Sequence, residues 1–395
     1  FYKFGDFSLA DRWMELLKDF MIDNPTFPSL EVEAKVTSSF CISLTLRQPD
    51  HPEFDKWLER ITSLSKMDME LDLKIPVINH LALHYIFIGD FANAWENVKL
   101  IQEFVKRKEC NNLCIIASRL REALYYVFMA QSEQCLRVVS EILKIAQSSG
   151  IHILDSRFLG FAAAASLTSG DIPEAKRFLQ KMSLELKSDS YFDTSLYYFL
   201  SSWNAILQGD IPLALTNQER ALADSARCGS PLPDANYQLG MAQILHERRE
   251  YKKSIFHLTI ARQIGSRMKS LITEYMCLLS EAQFALDRES EANCLKPLRK
   301  AMALGKKMGY VNFFYWRPSV MARLCLKALE SGIEIEYVQD LIRRRSLTPD
   351  TLPINIENWA WALKIYTLGK FALEIDGKPV QFKRKVQKMP LLMLK

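Results

Sequence analysis

Residues 162–181 read AAAASLTSGDIPEAKRFLQK, an alanine-rich stretch followed at once by a turn and a second helical pattern. Gly170 suits the left-handed conformation that ends many helices, and Asp171 can accept hydrogen bonds from the free N–H groups of the next helix. Pro173 is tolerated in the first turn of that helix. The stretch therefore predicts a helix, a tight turn and another helix.

The same turn recurs along the chain at a nearly constant interval. Gly89-Asp90 and Gly209-Asp210 repeat Gly170-Asp171 directly. The equivalent positions are Asp90, Gln131, Asp171, Asp210, Glu250 and Ser290, at spacings of 41, 40, 39, 40 and 40 residues. A constant interval of this length is typical of stacked helical hairpins.

Three columns of residues keep the same interval. Small residues stand eight positions before each turn: Ala82, Ala123, Ala163, Ser202, Ala242 and Ala282. Small residues also stand four positions after it: Ala94, Cys135, Ala175, Ala214, Ser254 and Cys294. Mostly large apolar residues stand eight positions after it: Val98, Val139, Leu179, Gln218, Leu258 and Leu298. Small side chains let paired helices approach, and the large column extends the buried stripe, which only Gln218 interrupts. The pattern predicts an all-α, tetratricopeptide-like superhelix of helical hairpins. Because the usual repeat has about 34 residues, we expect longer helices and a looser superhelix.

Length and composition agree with a helical array. A solenoid buries its apolar surface between neighbouring repeats and can extend to 395 residues. The net charge of +5 does not by itself indicate a nucleic-acid partner. The longest nearly apolar run, Phe158–Leu167, is too short to span a membrane, so we expect no membrane contact. The first residue is Phe1, which suggests an internal fragment of a longer protein.

The eight cysteines are spread along the chain, and Cys135 and Cys294 occupy small-residue columns. This distribution is typical of buried thiols in a reducing compartment, so we expect a cytoplasmic protein. Cys110 and Cys114 have the spacing of a metal or redox pair, but no second pair stands at ligand spacing. A structural role is therefore favoured, and no metal site is predicted.

The pattern divides the chain into three parts. Residues 1–345 form the predicted array, and 346–363, which contain Pro349 and Pro353, form a linker. In 364–395, apolar residues alternate through Phe371, Leu373 and Ile375 before Asp376-Gly377. This alternation predicts a short C-terminal β-hairpin.

The end of the chain resembles a known family. The run Ile365–Val380, with Pro390–Lys395 after it, resembles the opening of an OmpR-type winged-helix domain of bacterial transcriptional activators. Phe314–Pro318 and Gly332–Val338 are similar to the end of the repeat array in MalT-like regulators of the signal-transduction NTPase class. In that family an NTPase module binds ATP, the array senses an inducer or a partner, and the assembled protein binds promoter DNA through the winged helix.

Two departures from the family limit what this chain can do. It contains no Gly-x-x-x-x-Gly-Lys-Ser/Thr phosphate loop, so the resemblance implies no ATP hydrolysis here. It also stops before the recognition helix of a winged domain, so DNA contact is expected only through a complete C-terminal domain. No catalytic arrangement is apparent from the spacing of Ser, Cys, His or carboxylates. We therefore expect no enzyme activity and no cofactor in this chain.

The first helix of each pair should line the concave face, with residues about seven and ten before the turn pointing inward. The candidate ligand contacts are His80, Arg121, Phe161, Trp203, Gln243 and Gln283, with Asn236 one turn further from the loop. Aromatic planes and Arg, Asn and Gln side chains suit a sugar or a similar polar metabolite. Candidate hinge residues are Trp316 and Arg317, and candidate phosphate contacts are Lys383, Arg384 and Lys385, where a solvated charge run is favoured.

Two other clusters favour structural roles. His80 and His84 are four apart on one helix, but a third ligand is missing, so packing is favoured over metal binding. The aromatic residues between Tyr191 and Trp203 indicate a core between helices rather than a cofactor site.

Two functions from different classes remain. The first is the sensing and coupling region of a transcriptional regulator, which binds a small inducer or a regulatory protein in the groove and controls a C-terminal DNA-binding domain. Self-association of the full-length protein is expected with it. The second is an interaction scaffold whose groove binds a peptide or a partner subunit. The 365–395 segment favours the first.

Overall fold

The computed structural model describes residues 7–23, 26–107, 110–187, 189–350, 353, 356, 358–366, 372–375 and 377–380. Within them the helices are α1 Leu9–Asp23, α2 Leu30–Arg47, α3 Phe54–Leu64, α4 Leu71–Ile88, α5 Phe91–Phe104, α6 Asn112–Phe128, α7 Ser132–Ser149, α8 Asp155–Ser169, α9 Ile172–Glu185, α10 Tyr191–Leu207, α11 Ile211–Cys228, α12 Pro231–Glu247, α13 Tyr251–Arg267, α14 Leu271–Leu286, α15 Glu291–Met308, α16 Pro318–Glu330 and α17 Ile335–Arg345. The strands are β1 Leu363–Tyr366, β2 Ala372–Ile375 and β3 Lys378–Pro379. The predicted all-α fold is confirmed. Among the described helices only α4 has the length and apolar composition of a membrane span, and half of it is buried inside this fold.

The predicted turns fall where helices begin. Asp90, Gln131, Asp171, Asp210, Glu250 and Ser290 are the N-cap residues of α5, α7, α9, α11, α13 and α15. The three aspartates each accept a hydrogen bond from the backbone N–H three residues on, which satisfies a donor that the helix leaves free. The residue before each cap is left-handed: Gly89, Ala130, Gly170, Gly209, Arg249 and Glu289. Helices α4 to α15 thus form six hairpins.

The two small-residue columns lie where helices cross closely. All twelve of their members are 0% exposed. Ser202 Oγ donates to the Ala214 carbonyl at 2.9 Å, which ties one small column to the other. Gln218, the exception in the large apolar column, is also buried and donates from Nε2 to the Tyr237 carbonyl at 2.6 Å. Gly240 provides the space, since a Cβ there would lie 2.9 Å from Gln218 Nε2.

The helices of the six hairpins have 14 to 18 residues, longer than the average of about 11–12.

The superhelix winds so tightly that its successive turns touch. Helix α2 packs against α12 and α4 against α14. We call the first of these junctions the seam. Its hydrogen bonds run from Phe7 N–H to the Cys228 carbonyl (2.9 Å), from Arg47 Nη1 to the Gly229 carbonyl (2.6 Å) and from Ser230 Oγ to the Leu46 carbonyl (2.7 Å). The prediction of a looser superhelix is wrong, because these contacts join elements five hairpins apart.

Residues 310–317, between α15 and α16, run through the inside of the superhelix; we call them the interior segment. Asn312 Nδ2 donates to the Val127 carbonyl at 2.7 Å and to Thr168 Oγ1 at 3.2 Å. The Phe314 ring packs edge-on against Phe128, with centroids 5.2 Å apart. The segment therefore lies at the C-terminal ends of α6 and α8 and closes the interior on that side.

The C-terminal part changes to β-structure. Helix α17 ends at Arg345, and the strands pair antiparallel in the order β1-β2-β3, with Gly377 left-handed between β2 and β3. The predicted short β-hairpin is confirmed. The division into an array, a linker and a winged-helix segment stays a prediction. Lys383, Arg384 and Lys385 lie outside the described residues.

Candidate functional site

An apolar cavity lies at the centre of the superhelix. The first helices of all six hairpins line it, together with Phe7 and Leu46 from the seam and Phe314 from the interior segment. Its free volume is about 100 Å³, which is room for about one apolar side chain. We call it the central cavity. Its lining is Phe7, Leu46, Leu83, Ile86, Phe87, Leu120, Arg121, Leu124, Phe128, Arg157, Phe161, Phe192, Leu196, Phe199, Pro233, Asn236, Tyr237, Ile272, Thr273, Met276 and Phe314.

The charged groups of the central cavity are two arginines, Arg121 and Arg157. Arg157 donates from Nε to Asp193 Oδ1 at 2.8 Å, and its guanidinium lies over the Phe192 ring, 4.6 Å from the centroid. Arg121 is 6% exposed. No aspartate or glutamate is among the described residues that line the cavity. The described lining is therefore apolar apart from a few polar side chains, and the two guanidinium groups are among these.

An open groove adjoins the central cavity. It runs between the N-terminal halves of α4 and α6 and has a volume of about 460 Å³; we call it the α4–α6 groove. Leu120 and Arg121 line both spaces, so the groove meets the cavity at these two residues. The groove is lined by Asp72, Ile75, Pro76, Asn79, His80, Asn111, Leu113, Cys114, Ala117, Ser118, Leu120, Arg121, Ile153 and Leu154.

Two side chains of α4 offer polar atoms to the groove. Asn79 is 9% exposed, and neither its Oδ1 nor the Nδ1 of His80 has a hydrogen-bond partner among the described residues. Burial of the ring and, to a smaller extent, the charge of Arg121 together lower the pKa of His80 to about 3. His80 is therefore neutral at physiological pH, with one ring nitrogen able to donate and the other to accept. Buried polar atoms without partners favour a ligand that supplies them.

The structure brings together four of the seven predicted ligand contacts. Arg121, Phe161 and Asn236 line the central cavity, and His80 and Arg121 line the α4–α6 groove. Their role as ligand contacts stays a prediction.

The other three predicted contacts face elsewhere. Trp203 is 0% exposed and donates from Nε1 to the Trp316 carbonyl at 2.9 Å, so it holds the interior segment instead of lining the cavity. Gln243 bonds Ser280 and accepts from Arg317 at 3.2 Å. Gln283 is buried, and neither amide atom has a partner among the described residues. The interior segment explains the difference for Trp203 and Gln243, because it occupies the space they were predicted to face.

The two predicted hinge residues, at the end of the interior segment, contact different helices. The guanidinium of Arg345, at the end of α17, lies 4.4 Å from the centroid of the Trp316 ring, and its Nη2 donates to the Thr168 carbonyl at 2.9 Å. Burial lowers the pKa of Arg345 to about 10. Arg317 pairs with Glu247 at 2.6 Å. Trp316 therefore connects α10 with α17, Arg345 connects α17 with α8, and Arg317 is tied to α12.

One column escaped the sequence analysis. The residues fourteen before each turn are Pro76, Ala117, Arg157, Leu196, Asn236 and Met276, and all six line the groove or the central cavity. Only Asn236 was predicted. The repeat spacing could have identified this column, because it lies one helical turn further along the helix face that was predicted to line the concave side.

The metal alternatives gain no support from the geometry. His84 is buried against Phe54, with ring centroids 5.4 Å apart, and burial lowers its pKa to about 4. Cys110 and Cys114 interact through their thiols, and burial raises the pKa of Cys114 to about 12. In the described part of the chain no three His, Cys, Asp or Glu side chains converge on a point.

The sequence matches no known family model and no curated protein. The fold is similar to that of a Rap protein complexed with Competence and Sporulation Factor, with a TM-score of 0.56, 13% identity, and coverage of 80% of this chain and 88% of that chain. It is also similar to NprR in complex with its cognate peptide NprX, with a TM-score of 0.50, 12% identity, and coverage of 80% of this chain and 89% of that chain. At this level of identity the likeness establishes a shared tetratricopeptide-like fold.

Proposed function

We propose that this protein binds an extended peptide, free or as a segment of a partner protein, in the α4–α6 groove and the central cavity. The observation that carries the proposal is that an open groove with polar atoms lacking partners meets an apolar cavity at Leu120 and Arg121. A peptide fits both parts, because its backbone needs hydrogen bonds and a side chain needs an apolar pocket.

Two further points support a peptide over the sugar-like inducer suggested by the sequence. Seven phenylalanines line the central cavity, and its polar side chains are few, so the hydroxyl groups of a sugar would lose hydrogen bonds to water there. In addition, the two solved structures described above are complexes: the Rap protein with Competence and Sporulation Factor, and NprR with its cognate peptide. We further propose a cytoplasmic binding protein without catalytic activity or cofactor.

Filling the groove tests this function. Ala117 lies on the groove, and Ala117→Trp should weaken binding of a peptide selected from a random library by about tenfold or more, because an indole would occupy the peptide's place. Ala303 is exposed on α15, away from both spaces, so Ala303→Trp should leave binding unchanged. Isothermal titration calorimetry measures both. Equal binding by the two variants would rule out the groove as the peptide site.

A second candidate is a regulator in which ligand binding is transmitted to a C-terminal DNA-binding domain, as in MalT-like proteins. Its specific support is a chain of contacts from the cavity to the strands. Phe314 lines the cavity, Trp316 two residues on packs under Arg345, and α17 continues to the sheet through Arg343, whose Nη2 lies 2.9 Å from a Cβ placed on Gly377.

This second function makes a different prediction. In a longer form of the protein with a complete winged helix, deletion of the array should change DNA affinity or self-association. Unchanged values of both would leave only the peptide-binding function.

A further inference from the structure

We propose that a second copy of this chain binds to helix α1, so that the two copies form an antiparallel pair through an exposed apolar row of this helix. The proposal concerns a separate surface and does not depend on peptide binding. No residue of α1 is among the described residues that line the α4–α6 groove or the central cavity.

Helix α1 is apolar on two sides. On one side Ala10 and Met14 are buried in a cluster with residues of α2 and α3, as expected for an amphipathic helix. On the other side a second apolar row is between 49% and 65% exposed; we call it the α1 stripe, and it consists of Leu9, Trp13, Leu16 and Phe20. Single exposed apolar residues are common on protein surfaces, but a continuous row of them indicates a surface that another molecule covers.

The spacing of the α1 stripe selects a helix as the covering element. Its residues follow one another by four, three and four positions, which places Trp13 and Phe20 at the a positions of a heptad repeat and Leu9 and Leu16 at the d positions. A row with this spacing packs against a helix that carries the same row. When a second α1 runs antiparallel, Trp13 of one copy faces Leu16 of the other, and Phe20 faces Leu9. Each contact then joins an aromatic ring to a leucine.

The charges beside the α1 stripe select the antiparallel direction. Arg12 and Asp19 occupy successive g positions along one edge of the stripe, and both are exposed. In an antiparallel pair the g positions of the two helices meet, so Arg12 of each copy lies beside Asp19 of the other, and the two-fold symmetry repeats this contact. In a parallel pair the g positions would meet e positions, which hold the uncharged Ala10 and Leu17. Opposite charges therefore favour the antiparallel pair.

The other edge of the α1 stripe borders a groove between α1 and α2. The groove is largely apolar and has a volume of about 330 Å³; its lining is Trp13, Met14, Leu17, Lys35, Val36, Ser39, Phe40 and Ser43. Trp13 belongs to both the stripe and the groove. On α2, the small side chains of Ser39 and Ser43 lie one helical turn apart and leave room for side chains of a second helix. The surface therefore has an apolar centre, one charged edge and one recessed apolar edge.

Sedimentation velocity of the full chain tests the pairing. One pair of short helices buries less surface than a standard interface, so we expect a dissociation constant in the micromolar range. Raising the protein concentration from about 1 to about 300 µM should convert monomer to dimer. Trp13→Glu should stay monomeric throughout, because a carboxylate would be buried in the apolar centre. The matched control is Phe256→Glu on α13, where the aromatic ring is 62% exposed, against 65% for Trp13, and it should dimerise like the unaltered protein.

Charge reversal tests the direction of the pair. Arg12→Asp and Asp19→Arg each place like charges together at both symmetric contacts, so each variant alone should dimerise about tenfold more weakly. An equal mixture of the two variants should form a heterodimer within about threefold of the original affinity, because both of its contacts again join an arginine to an aspartate. Lys18 is exposed on the opposite side of α1, and Lys18→Asp should leave dimerisation unchanged.

Several results would overturn the proposal. A monomer at every concentration would exclude the second copy, and a monomer that binds phosphatidylglycerol vesicles through Trp13 would assign the α1 stripe to a lipid surface. A dimer that survives in Trp13→Glu would place the interface elsewhere. Full-strength dimers of both charge variants, or no gain on mixing them, would exclude the antiparallel pair. Circular dichroism checks the fold of each variant, and the mixture of the charge variants decides the result if Trp13→Glu does not fold.

Discussion

At residue 249 an arginine adopts the left-handed backbone conformation that glycine adopts in three equivalent turns. A non-glycine residue in this conformation costs about 1–2 kcal/mol of stability. Replacement by glycine removes this strain, but the gain in stability is smaller than the strain because glycine also has more freedom in the unfolded chain. Arg249 is exposed, so its side chain contributes little packing. We therefore expect Arg249→Gly to raise the free energy of unfolding by about 0.5–1 kcal/mol, measured by urea titration.

The matched control is Gly209→Ala. No atom lies within 4 Å of a Cβ placed on Gly209, whose φ is +76°. Gly209→Ala should therefore lower the free energy of unfolding by about 1 kcal/mol, through the backbone conformation alone. A loss of stability in Arg249→Gly would show that the arginine side chain contributes more than the strain it carries.

At the scale of an element, the interior segment is fixed by buried hydrogen bonds. Asn312 is 0% exposed and donates to the Val127 carbonyl and to Thr168 Oγ1. We expect Asn312→Ala to lower the free energy of unfolding by about 2 kcal/mol, because two buried acceptors lose their donor. Chemical denaturation measures the change. Asn293→Ala serves as control, because its Nδ2 bonds Ser290 Oγ on the surface, and a shift above about 0.5 kcal/mol there would contradict this reasoning.

The elements also show how far local pattern determines this fold. The turns and the small-residue columns were predictable because each is a local requirement: a left-handed residue, a cap, and a close helix crossing repeated every 40 or so residues. The interior segment was not predictable in this way. Trp203 has the spacing of a concave-face residue, but residues 310–317, outside the repeat, cover it. Contacts between segments more than a hundred residues apart leave no periodic signal.

For the whole molecule, the seam joins the start of the chain to the fifth hairpin after it. Arg47 bonds the Gly229 carbonyl and holds Asp11 through Nε and Nη2. We expect Arg47→Ala to increase hydrogen exchange at the Phe7 amide and around residues 228–231, because the seam would open more often. Exchange in α7 and α9, which do not line the central cavity, should stay unchanged.

A second arginine controls for the loss of an ion pair as such. Arg60 pairs with Glu33 at 2.8 Å, and its side chain is 30% exposed, against 29% for Arg47. This pair joins α2 to α3 without crossing the seam, so Arg60→Ala should leave exchange at Phe7 unaffected. Equal effects of both substitutions would mean that the N-terminal helices respond to any lost charge pair, and that the seam has no separate role.

The seam also changes how the chain is expected to fold. A linear repeat array makes mostly local contacts, so it can begin folding at any hairpin and its ends can fray independently. Here the bond between Arg47 and Gly229 spans 182 residues and the bond between Ser230 and Leu46 spans 184. Contacts of this range raise the contact order and form only after the intervening hairpins are in place, which slows the last step of folding. Once the seam has formed, the N-terminal helices can no longer unfold independently of α12. We therefore expect the array to unfold cooperatively, as a globular domain does.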